Sequence, residues 1–236
     1  MDLKSMNWNK DNYLLFLDYL KSISEEEYKK FSEKITFTKY EMLGIRLPKL
    51  RGIAKEVSKG DTLSFLKVVG YHYYEEVMIS LLVIANIKDM NELMKYFYKY
   101  ISLIDNWALC DTFCNSLKIV SKNKEYFLEV IDKLIKSDKT YDIRVGLILL
   151  LCYYVEEEYL ELIFKYLDSI KNDEYYVNMA EAWLLCEIFV KYENRGLKYL
   201  EKNKLNKFTI NKSISKIRDS YRVSKEMKEY ILKFKR

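Results

Sequence analysis

Five segments decide the fold: YEEVMISLLVIANIK (74–88), NWALCDTFCNSLKIV (106–120), YDIRVGLILLLCYYV (141–155), YVNMAEAWLLCEIFV (176–190) and FTINKSISKIRDSYRV (208–223). Each is strongly apolar with helical periodicity. Their starts are 32, 35, 35 and 32 residues apart. Each is followed by a segment of looser amphipathic pattern: MNELMKYFYKYI, KEYFLEVIDKLI, EEYLELIFKYL, RGLKYLEKN and SKEMKEYILKFK. A helix pair recurring at this period cannot bury its apolar face alone and must stack on its neighbours. The expected fold is all-α, a right-handed α-solenoid of about fourteen helices, a single domain over residues 1–236.

Upstream, helices are expected over residues 12–21 and 25–34. Pro48 suits the first turn of a third helix and Gly44 the turn before it, while Asp61-Thr62 opens a fourth as an N-cap. Between them, Ile35, Thr36, Phe37 and Thr38 are β-branched or aromatic and read as extended or irregular. The tetratricopeptide pattern W-x₂-L-G-x₂-Y is missing, so HEAT-like stacking fits the period better.

The composition removes several function classes. One His among 236 residues excludes a two-His metal site, and a Ser-His-Asp triad would have to use His72. Six scattered Gly contain neither GxGxxG nor GxxxxGK[ST], so nucleotide loops of those types are absent. Cys110, Cys114, Cys152 and Cys186 form no CxxC and sit in apolar runs as small hydrophobes. No basic-then-apolar leader or 18-residue apolar run is present, which points to a cytoplasmic protein with no membrane partner. Neither metal nor cofactor is expected, and nothing demands more than a monomer. The net charge of +5 is uneven: residues 201–236 hold 12 Lys/Arg and 4 Asp/Glu, a net of +8, leaving −3 for residues 1–200. That polarity points to an anionic partner at one end.

Stacked repeats align equivalent positions along one surface. Trp107, Arg144 and Trp183 lie 37 and 39 residues apart, close to one repeat each. Asp111 follows Trp107 by one helical turn on the same face. The ladder extends to Lys212, Lys216 and Arg218 in the last repeat, and to Glu75 and Glu76 in the first. Two indoles, a carboxylate, a guanidinium and a basic end are thus expected along one groove.

This constellation resembles the AlkD-type DNA alkylation repair family. The likeness is carried by N-W-x-x-x-D (Asn106, Trp107, Asp111), by Arg144 opening the next repeat, by A-x-A-W-x-L (residues 180–185) and by LGIRLPKLR (residues 43–51). It runs from about Gly44 to the C-terminus. The resemblance implies HEAT-like-repeat glycosylases that excise cationic N3- and N7-alkylated purines from double-stranded DNA without flipping the base into a pocket. It implies Asp111 as the catalytic carboxylate, Trp107 and Trp183 as walls beside the lesion sugar, and Arg144 as a backbone contact. Arg46, Lys212, Lys216 and Arg218 are further phosphate-contact candidates. The residues leave two other readings open: a non-catalytic DNA-binding protein that recognises duplex or branched structure, and a solenoid scaffold for protein partners.

Overall fold

The computed structural model describes residues 1–236 and is all-helical, with fourteen α-helices. It divides into two compact units, Met1–Ile119 and Val120–Arg236. No helix is long and apolar enough to cross a membrane.

The first unit holds α1 (Lys10–Ser22), α2 (Glu26–Ile35), α3 (Leu47–Val57), α4 (Thr62–Val68), α5 (Tyr74–Ala85), α6 (Met90–Ile101) and α7 (Trp107–Ser116). The second holds α8 (Lys124–Ile135), α9 (Thr140–Tyr153), α10 (Leu160–Ser169), α11 (Tyr175–Lys191), α12 (Glu193–Glu201), α13 (Lys207–Asp219) and α14 (Lys225–Tyr230). The five strongly apolar segments are α5, α7, α9, α11 and α13. In the first unit α5 packs between α3 and α7; in the second α11 packs between α9 and α13. A helix with neighbours on both sides buries nearly its whole surface, which is why α5, α9 and α11 are apolar all round. Their partners α6, α8 and α10 bury one stripe only.

Side-chain caps set several helix starts. Asp61 accepts from the Ser64 amide at 3.0 Å, as its position before α4 implies. Asn106 is fully buried and accepts from the Ala108 and Leu109 amides, both at 3.0 Å, fixing the first residue of α7 as Trp107. Pro48 lies in the first turn of α3.

Residues 36–43 leave the helical path, as expected of Thr36, Phe37 and Thr38, whereas Ile35, expected to be irregular with them, is the last residue of α2; the stretch forms no strand beyond a single bridge between Glu41 and Tyr73. Gly44, which ends this stretch, has φ of +88°. A Cβ there would lie 2.6 Å from the Glu25 carbonyl oxygen and 2.8 Å from the Lys29 amide nitrogen. Both obstacles are backbone, so they do not move aside. Gly44→Ala is expected to destabilise the protein by about 2 kcal/mol or more, from strain and overpacking together. Gly52, in the exposed middle of α3, has nothing within 4 Å of its Cβ position. Gly52→Ala is expected to stabilise by about 0.5–1 kcal/mol through helix propensity. Urea denaturation of the two variants checks both signs.

Candidate nucleic-acid interface and its carboxylate

In the first unit, Trp107 and Asp111 stand one turn apart on α7 and line one cavity of about 200 Å³, as their spacing predicts. Both are half-buried. The cavity is closed on one side by the end of α2 and the residues after it. Trp107 donates its indole Nε1–H to the Ile35 carbonyl at 3.2 Å. Asp105 holds the next residues: its carboxylate accepts from the Thr38 hydroxyl at 2.9 Å and the Lys39 amide at 2.7 Å. Tyr40 completes the attachment by donating its hydroxyl to the Leu103 carbonyl at 2.8 Å. Residues 35–40 thus form a strap fastened to the start of α7. The sequence signals Asp105 only through its place one residue before the Asn106 cap of α7.

On another side, Glu75 anchors the loop that leads into α3. Its carboxylate accepts from the amides of Leu43, Gly44 and Ile45 at 2.9, 2.8 and 3.1 Å. The positive φ of Gly44 lets three consecutive N–H groups converge on one anion. Glu76 is also buried and accepts from the His72 and Tyr73 amides at 2.9 and 2.7 Å. Burial raises its carboxyl above the usual range. Glu75 and Glu76, reached by the ladder in the first repeat, are 2% and 1% exposed, and both serve backbone amides.

In the second unit, Trp183 of α11 is half-buried and lines an open recess of about 350 Å³ together with Lys216 of α13 and Arg222. Arg222 pairs with Glu187 at 3.2 Å across that recess. Arg144 departs from the open position expected of it. It is 5% exposed, and its Nη1 donates to the Tyr176 carbonyl at 2.6 Å, tying α9 to the first turn of α11. Arg218 pairs with Glu229 at 3.5 Å and lines a recess with Lys225, Lys228 and Lys235. Lys212 is half-buried on α13. In the first unit, Arg46 is paired with Glu25 at 2.8 Å and lies 4.7 Å over the Tyr28 ring.

No group of three or more His, Cys, Asp or Glu side chains is gathered as a ligand set. Cys110, Cys114 and Cys186 are buried, and burial pushes the Cys186 thiol up to about 11, away from thiolate chemistry.

The family model described as DNA alkylation repair enzyme matches residues 16–217, and the chain belongs to that family. The match spans most of both units and includes every motif that carried the resemblance. Membership gives the chain a role in DNA repair. No curated protein matches the chain.

Two residues before Trp183, Glu181 is 3% exposed and accepts from the Thr209 hydroxyl at 3.3 Å. Burial, more than any neighbouring charge, pushes its carboxyl up to about 8 from an ordinary 4.5. Between those values the folded state holds a proton that the unfolded state has released. Stability therefore falls as pH rises through that window. Glu181→Gln is expected to flatten this part of the stability profile, measured by denaturation at pH 5, 6, 7 and 8.

Proposed function

We propose that this member of the DNA alkylation repair enzyme family hydrolyses the N-glycosidic bond of cationic N3- or N7-alkylated purines in duplex DNA. The observation that carries the reading is the pairing of Trp107 and Asp111 on the wall of one cavity. An alkylated purine already bears positive charge, so it leaves with its bonding electrons and needs little help from an acid. Positive charge then develops on the sugar. A fixed carboxylate stabilises that charge where it forms, and Asp111 is assigned this part. The same carboxylate orients the attacking water, whose oxygen bonds to the anomeric carbon as the bond to the base breaks. Indole faces favour cationic groups by about 0.5–2 kcal/mol each, which suits Trp107 as a wall beside the sugar.

Affinity for the duplex comes from phosphate contacts, for which Lys212 and Lys216 remain the candidates, with Arg46 and Arg218 lesser ones because Glu25 and Glu229 already engage them. Such affinity falls steeply with salt. For Arg144 the burial favours a positioning part, holding the start of α11, over the phosphate contact expected of it. A second reading, duplex binding without catalysis, draws on the strap that engages the Trp107 indole from residue 35.

The test is release of 7-methylguanine and 3-methyladenine from methylated duplex under single turnover. Wild type is expected to release base, and Asp111→Asn to be slower by about 10²-fold or more, the usual cost of removing one electrostatic stabiliser. Folded wild-type protein that binds duplex but releases no base supports the non-catalytic reading instead.

A further inference from the structure

Helix α3 keeps one face open to solvent. Leu50, Ile53, Ala54 and Val57 bury one side of it, and the helix packs on α5. On the opposite side Pro48, Arg51, Gly52 and Lys55 are all exposed. Their spacing of i, i+3, i+4 and i+7 sets them along one crest. The crest holds two cations and no acid. Glu56, beside it, is engaged by Lys59 at 2.6 Å. Gly52 is the anomaly there. Glycine is among the poorest helix formers, and an exposed position inside a helix gains stability from almost any side chain. Its backbone does not require glycine, since Gly44 alone has a positive φ. Its surroundings do not require it either, because nothing lies within 4 Å of the Cβ position. What the missing side chain provides is bare helix backbone at the surface, which another chain can approach closely.

The charge beside that gap is uncompensated. Arg46, Arg195, Arg218 and Arg222 each face a carboxylate. Arg51 faces none: its Nη1 donates to the Ser116 hydroxyl at 3.0 Å. That hydroxyl donates in turn to the Thr112 carbonyl at 2.7 Å. The guanidinium is therefore oriented without being neutralised. Its place matters too. Arg51 stands one turn along α3 from Leu47, and Ser116 one turn along α7 from Thr112. Leu47 and Thr112 both line the cavity that holds Asp111. On both helices the Arg51–Ser116 contact thus lies one turn, about 5.4 Å, beyond cavity-lining residues.

We propose that the crest of α3 seats one strand of duplex DNA, with Gly52 as the notch that the sugar–phosphate backbone enters and Arg51 and Lys55 as the charges that hold it there. The proposal rests on the reading above for its DNA partner and not for hydrolysis. Ser116 engages only Nη1, which leaves the other N–H donors of the guanidinium for a phosphate. In a phosphodiester strand the charge sits on the backbone itself, so the strand must come close to the helix to deliver it. An acidic peptide carries its charge at the ends of side chains and reaches Arg51 and Lys55 without a notch. A strand gripped at Arg51 is held at a fixed offset from the Asp111 cavity, which is what positioning a sugar for reaction requires.

The probe is a short undamaged duplex, titrated by fluorescence anisotropy over a series of salt concentrations. Gly52→Ala is expected to raise the melting temperature and yet to bind duplex more weakly than wild type. Gly52→Leu, which fills the notch further, is expected to weaken binding about tenfold or more. Stability and affinity moving in opposite directions is a result that a purely structural role for Gly52 does not give. Arg51→Gln is expected to lower the slope of log K against log salt by about one, the loss of a single phosphate contact. Duplex affinity of Gly52→Leu equal to wild type overturns the proposal, and so does an unchanged slope in Arg51→Gln. Equal losses of duplex and poly-glutamate binding in Gly52→Leu assign the notch to any polyanion and overturn the strand. Base release from methylated duplex separates the seat from hydrolysis. Weakened binding in Gly52→Leu with no release by wild type keeps the seat and rejects the glycosylase. Binding and release both at wild-type level in Gly52→Leu reject the seat and leave the glycosylase standing.

Discussion

One buried carboxylate organises the first unit. Glu75 sits in the first turn of α5, the helix that α3 and α7 both pack against, and it collects three successive amides from the loop entering α3. A buried anion is costly unless its lone pairs are filled, and three N–H donors at 2.8–3.1 Å fill them. The loop can supply three donors because Gly44 adopts a positive φ that a side chain would resist. The path of residues 43–47, the start of α3 and one wall of the cavity beside Trp107 all follow from that anchor. Asp105 does the corresponding work for the strap on the opposite wall.

The same economy divides the molecule's charges by task. The carboxylates of Glu75, Glu76 and Asp105 accept from backbone amides, as does the neutral Asn106 side chain at the start of α7, and buried Arg144 donates to a backbone carbonyl. Charges that remain at the surface lie elsewhere: Lys216 and Arg222 beside Trp183, and Arg218 among the lysines of α14 and its tail. Phosphate affinity and charge stabilisation at a reacting sugar need opposite signs. The second unit carries one recess with a basic excess, around Arg218, and the recess beside Trp183 balances Lys216 and Arg222 against Glu187 and Asp219, while the Trp107 cavity is free of basic residues.

Much of the fold was legible because it rests on side chains whose local preference and tertiary role agree. The apolar runs became α5, α7, α9, α11 and α13, with the helix pair repeating at the expected period. Pro48, Gly44 and Asp61 took the positions their chemistry favours. The β-branched residues after α2 left the helix. At the site, the shared face of Trp107 and Asp111 follows from one helical turn and was readable. Glu75, Glu76 and Arg144 were not, because a charged residue is expected outside unless its backbone partners are known. Those partners lie 30–32 residues away in the chain for Glu75 and Arg144, and only the fold brings them together. The division into units at residue 119 has no composition signal, since no linker marks it.

The loop into α3 and the cavity wall it builds depend on the Glu75 anchor, and hydrogen exchange reads that anchor directly. In the wild type the amides of Leu43, Gly44 and Ile45 should be protected although they lie in a loop. In Glu75→Ala they should exchange at rates near those of an open loop, while the amides of α11 in the second unit keep their protection. Equal protection of the three amides in wild type and Glu75→Ala would contradict the account, because the loop, and the cavity wall it builds, would then be held by something else.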